Sequence, residues 1–157
     1  MLLGVDGVTL FDDNPGIHQS SERDSTMDLD TVMLADYASA SAEGKLNVIG
    51  VFNIIRSNNF PTRHPVMYVV TIVSASMAEV GTTSKIGIKL MDEDAKIQLL
   101  DFSRDVTVEQ RPSGQRYRLQ GILQVTDIVF PKAGTYQISV LIDGHEKGSV
   151  QIYLEQV

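Results

Sequence analysis

The chain reads as an all-β protein, two antiparallel sheets packed face to face in a sandwich of about eight strands. Three observations predict it. Short runs rich in Val, Ile, Thr and Tyr alternate apolar with polar residues at a period of two, the mark of a half-buried strand. Clusters of Gly, Asp, Asn and Pro separate these runs at close intervals. No segment carries the apolar spacing of an amphipathic helix.

The elements follow in order. Residues 1–26 stand apart, because DDNPGIHQSSERDST is polar and rich in turn formers, with too little apolar surface to offset its ordering entropy. They are expected to be a disordered arm or an extension ahead of Met27, with the sandwich domain running over 27–157. An arm that docks on a partner is the sharper alternative. Thr31–Ala40 and Lys45–Ile55 read as strands flanking Ser41-Ala42-Glu43-Gly44, a loop whose glycine suits a positive φ. Val66–Ser76 is apolar almost throughout, which predicts a central strand with both faces covered. Lys85–Asp92 alternates, Asp92-Glu93-Asp94-Ala95 turns, and Lys96–Phe102 returns. A strand near Arg116–Thr126 sets Tyr117, Leu119, Leu123 and Val125 on one face, interrupted by Gly121. In the last hairpin Tyr136, Ile138, Val140 and Ile142 lead to Asp143-Gly144, and Val150, Ile152 and Leu154 alternate back.

Composition narrows the function classes. At 157 residues the chain fits one domain able to bury a core, and 43% apolar with 21% charged residues is an ordinary globular balance. Without cysteine there is neither disulfide nor thiolate metal site, which accords with a cytoplasmic location. The N-terminus lacks the basic residue that precedes the apolar core of a signal peptide. The longest uncharged run, Pro65 to Ala78, is too short to span a bilayer, so no membrane partner is expected. Of the net charge of −7, residues 1–26 hold −4 and the body only −3. An acidic chain with no basic stripe lacks the footprint of a nucleic-acid binder.

Phe130-Pro131-Lys132-Ala133-Gly134-Thr135-Tyr136-Gln137-Ile138 is the most informative local pattern. It is similar to the corner of immunoglobulin-like sandwiches, where a small-residue turn enters a strand whose early tyrosine bonds back across the corner. Gly134 and Tyr136 are then structural residues, and an immunoglobulin-like arrangement is expected. A wider likeness runs from about Met33 to Val157. It rests on Ala35-Asp36-Tyr37-Ala38, on Gly44-Lys45-Leu46-Asn47-Val48-Ile49-Gly50-Val51-Phe52, and on Phe60-Pro61 with His64-Pro65. Leu90-Met91-Asp92-Glu93-Asp94 and the Phe130–Tyr136 corner extend it. Together these resemble an uncharacterised bacterial family, a domain of unknown function, which implies a β-sandwich and no particular activity.

Two places carry chemistry worth weighing. The stretch RSNNFPTRHP offers Arg56, Asn59, Arg63 and His64, a cradle for a carboxylate or phosphate if these groups converge. The alternative is a rigid connection fixed by Pro61 and Pro65. Asp92, Glu93 and Asp94 have the oxygen chemistry of a calcium loop, but Asp also favours such turns by bonding its own backbone, and the turn is the preferred reading. No catalytic residue is assigned: GxSxG, HExxH, P-loop and GxGxxG are all absent, and of three histidines only His64 lies in the body outside a terminal turn. The chain is expected to be non-enzymatic, with no cofactor. Its expected role is structural or protein-interacting, with another protein as partner and a homo-oligomer through a sheet edge as an option. A small-ligand or metal-binding sandwich using the 56–65 stretch or the 92–94 turn is the alternative.

Overall fold

A computed structural model describes residues 27–110 and 117–157. The predicted arm over residues 1–26 lies outside the described residues. The described chain forms nine strands: β1 (Asp28–Ala40), β2 (Leu46–Val51), β3 (Ile54–Ser57), β4 (Thr62–Ala75), β5 (Thr83–Asp92), β6 (Gln98–Thr107), β7 (Tyr117–Phe130), β8 (Gly134–Ile142) and β9 (His145–Gln156). A short 3₁₀ turn over Met77–Glu79 links β4 to β5. One sheet has the order β2-β1-β4-β7, the other β3-β9-β8-β5-β6. The all-β, two-sheet reading is therefore the fold.

Three expectations change in detail. There are nine strands because Lys45–Ile55 is not one strand but two, in different sheets. The chain leaves the first sheet at Phe52, whose N–H still donates to Leu34 O, and Asn53 passes it to the second, where its carbonyl accepts from Tyr153 N. The sandwich is not wholly antiparallel, since β3 runs parallel to β9 from Ile54↔Tyr153 to Ser57↔Gln156. The supposed 56–65 loop shrinks to 58–61, because Arg56 and Ser57 end β3 and Thr62 opens β4. Pro65 is tolerated in that central strand because its partner position is irregular. The pairs His64↔Ile128 and Val66↔Thr126 bracket it, opposite Asp127 at φ 56°.

The core forms where the inner faces meet. Leu34, Met67, Val69, Val125, Ile128 and Phe130 from the first sheet close on Ile88, Leu90, Tyr136, Ile138, Ile152 and Leu154 from the second. A smaller cluster at the other end joins Met27, Val73, Ala75, Val108, Tyr117 and Ile142. β4 is central, as its composition predicts, and its inward positions Met67, Val69, Val73 and Ala75 are all at most 1% exposed. Its other face is less fully covered than expected: Val70 is shielded, but Val66, Tyr68 and Ile72 are only half-buried.

Turns hold the elements in register. Gly44 takes φ +79° in the β1–β2 loop. Asp143 and Gly144, at φ 51° and 86°, form a two-residue hairpin turn of the left-handed type. Asp143 also clasps β5: Lys85 N donates to its carboxylate at 2.8 Å, and its own N–H donates to Lys85 O at 2.9 Å. At the corner between β7 and β8, Tyr136 is 1% exposed and its hydroxyl donates to Lys132 O at 3.0 Å. Its ring meets Phe130 edge to face, centroids 5.1 Å apart. Burial raises the phenol pKa above its ordinary value, so the bond stays a neutral one.

Replacing Tyr136 with Phe removes that bond and is expected to cost about 1–3 kcal/mol in a denaturant titration. Tyr153 is the control. It is 38% exposed and its hydroxyl donates to the exposed Gln151 side chain, so Tyr153→Phe should change stability by less than about 0.5 kcal/mol. Equal small effects at both positions would remove the corner from the account of the fold.

Candidate functional site

The residues of the 56–65 stretch do not converge. Arg56, on β3, donates through Nε to Glu155 at 2.9 Å. Arg63, on β4, is committed to Asp127, its Nε at 2.9 Å. Asn59 lies in the intervening turn, where its N–H and carbonyl meet the Ser57 hydroxyl. His64 turns to Phe52, ring centroids 5.7 Å apart. Each guanidinium already faces a carboxylate, so the four side chains form no common anion cradle. The two arginines instead pin β3 to β9 and β4 to β7.

His64 is nevertheless unusual. Its Nε2 is buried and finds no hydrogen-bond partner among the described residues. Burial pushes its pKa below the ordinary value, against smaller upward contributions from the Val66 backbone and the Asp36 charge. The folded state thus favours neutral imidazole. Stability from this group is present above its unfolded value near 6.5 and is lost as pH falls through the lower folded value.

The acidic turn is built around its first residue. Asp92 is 5% exposed, and its Oδ1 accepts from Lys96 N at 2.7 Å and Ile97 N at 2.8 Å. These bonds hold its carboxyl below the ordinary aspartate value, so its contribution is lost only as pH falls below about 3.8. Glu93 and Asp94 point to solvent, and Asp94 meets Lys96 at 3.6 Å. Among the described residues no group of three or more His, Asp or Glu could hold a metal ion.

The arrangement with binding chemistry is one that the sequence reading left unassigned: the β1–β2 edge. Among the described residues β2 ends its sheet, and its sequence LNVIGV carries no charge. Ile49 and Val51 are each 63% exposed, and Tyr37, opposite Ile49, is 47% exposed. Val51 pairs with Ala35, and Ala35 with Tyr68, whose ring meets Tyr37 edge to face at 5.5 Å. These contacts make one continuous apolar patch. Gly50 shapes the edge, since its φ of +71° is left-handed and a Cβ there would collide with Asp36. The missing charge in LNVIGV was the sequence signal for this edge.

Two measurements check the site geometry. Melting temperature should fall between about pH 7 and pH 5, and His64→Phe should remove part of that fall. An identical acid loss in both proteins would acquit His64. Melting midpoints with chelator and with millimolar calcium should coincide, because a cation selective for the native state must raise the midpoint. A clear rise would restore the metal site.

Comparison with known proteins adds family and little more. No curated protein matches the chain. Among solved structures it is similar to the Pseudomonas fluorescens alkylpurine DNA glycosylase AlkC bound to DNA containing an abasic site analog, at 11% identity and a TM-score of 0.44. The likeness covers 83% of this chain and spans only 31% of the glycosylase. A family model matches residues 30–155, the whole sandwich from early β1 to the end of β9. The chain therefore belongs to DUF6941, a family of unknown function.

Proposed function

We propose that this chain is an immunoglobulin-like protein-interaction module that engages another protein along the free edge of β2. One observation carries the reading: an uncharged edge strand with Ile49 and Val51 each 63% exposed. An edge strand offers unpaired backbone N–H and C=O groups, and soluble proteins usually guard such edges with charges, Pro or bulges. This edge lacks the charges and the proline. It therefore suits an incoming strand whose main chain adds to the ladder while its side chains meet Tyr37, Ile49 and Val51. The topological reading is supported by β3 pairing parallel with the last strand and by Tyr136 bonding back to Lys132 at the start of β8. Nothing in this role calls on catalysis, and the leading partner is a protein.

The test is an affinity capture from the native host with the wild-type chain and an Ile49→Lys/Val51→Lys double variant. Both side chains are exposed, so the variant should melt as the wild type does. A protein held by the wild type and lost by the variant supports the reading. Identical captured sets, from a variant shown to be folded, would overturn it.

A further inference from the structure

The opposite side of the sandwich is also open, and its chemistry differs. β6 ends one sheet and β7 the other, so among the described residues no strand lies between the two sheets there. Between them lies a crevice of about 120 Å³. Its walls are Ile86 and Ile88 on one sheet and Leu119 and Leu123 on the other, with Phe102 at the mouth, 37% exposed.

Thr71, Arg104 and Gln120 are its polar lining residues, and the first two set its chemistry. The first is Thr71, on the floor. It stands at an inward position of β4 between Val69 and Val73, is 3% exposed, and pairs with Gly121 across the ladder. Its hydroxyl makes no hydrogen bond to the other described residues. A Cβ at position 121 would approach Thr71 Oγ1 to 2.5 Å, so the glycine keeps both the hydroxyl and the floor accessible. The second is Arg104, on the rim. It alternates with Phe102 and Val106, which places it on the core side of β6 opposite Ile86. Arg56, Arg63 and Arg118 each face a carboxylate, from Glu155, Asp127 and Asp30. Arg104 alone among the described arginines has none.

A rim guanidinium without a counter-ion among the described residues, beside a small apolar crevice, is complementary to an anion attached to an apolar body. The size sets the body: an apolar cavity of about 150 Å³ holds a benzene-sized molecule, so this one suits roughly five or six carbons. The floor adds a further choice, because a site with an unpaired hydroxyl on its floor discriminates in favour of a ligand that can bond it. We infer that the β6–β7 crevice binds a short aliphatic carboxylate, its anion at Arg104, and favours one bearing an oxygen at the far end of the chain that meets Thr71. This site is independent of the β2 edge.

The test is a nitrogen–proton correlation titration of the full chain with three probes: hexanoate, 6-hydroxyhexanoate and hexylammonium. Saturable shifts are expected at Thr71, Arg104, Leu119, Gly121 and Leu123 with both carboxylates, the hydroxylated one at severalfold lower concentration. Hexylammonium should produce none. Arg104→Gln, a change at an exposed position, should weaken both carboxylates about tenfold or more. Thr71→Val, nearly isosteric, should leave hexanoate binding in place and erase the preference for the hydroxylated probe. Absent or non-saturable shifts, equal binding of the amine, or undiminished binding by a folded Arg104→Gln would overturn the site. A hydroxyl preference that survives Thr71→Val would overturn the role of the floor.

Discussion

The Phe130–Tyr136 ring pair sits where the chain leaves one sheet and enters the other, and most of the sandwich depends on that crossing. Phe130 ends β7, Tyr136 lies two residues into β8, and both are at most 1% exposed. Burying two aromatic rings against each other fixes the separation of the sheets at one end. The Tyr136–Lys132 bond then fixes the path of the corner, since a phenol that deep must find an acceptor. From this point β8 pairs on both sides, with β5 and β9, and the second sheet assembles around it.

With the corner in place, the two ends of the inner layer close unequally. Around Met67, Leu90 and Ile138 the apolar side chains form the larger cluster, and around Val73 and Ile142 the smaller one. Thr71 falls between them, and the glycine opposite leaves its side of the layer thin. That thinness opens the crevice between β6 and β7. At the far side Phe52 packs against the core and faces His64, and the edge there is a strand rather than a cleft. One open side thus presents backbone and large apolar side chains. The other presents a small cavity with a cation at its rim.

The charged residues are mainly local fasteners. Arg56–Glu155 ties β3 to β9, and Arg63–Asp127 ties β4 to β7 at the irregular position beside Pro65. Exposed pairs of this kind contribute at most about 1 kcal/mol each, so their value lies in register more than in stability. Asp92 and Asp143 act through backbone N–H groups instead, and each closes a turn that a neighbouring strand depends on.

Period-two alternation was enough to read the fold class and most strands, because the side-chain pattern of a half-buried strand is local and survives without knowledge of its neighbours. The Asp143–Gly144 turn, the Gly44 loop and the corner at Gly134–Tyr136 were legible for the same reason: turn chemistry is written in two to four adjacent residues. The division of Lys45–Ile55 was not, since a run of apolar residues does not say which sheet each half joins. Nor was the extension of β4 through Pro65, which needs the irregular position at Asp127 on a strand distant in sequence. The candidate sites follow the same rule. Arg56, Asn59, Arg63 and His64 are neighbours along the chain and looked like a cradle, but alternation and a change of sheet send them to different partners. Arg104, Thr71 and Gly121 lie far apart in the chain, and only the packing of one sheet edge against the other sets them around one cavity. The sequence by itself determined the two-sheet class, the turns and the burial of one face of each long strand, because these depend on local periodicity. Tertiary structure decided which edges stay open and which charges find partners, because both depend on contacts between residues that the chain brings together only by folding.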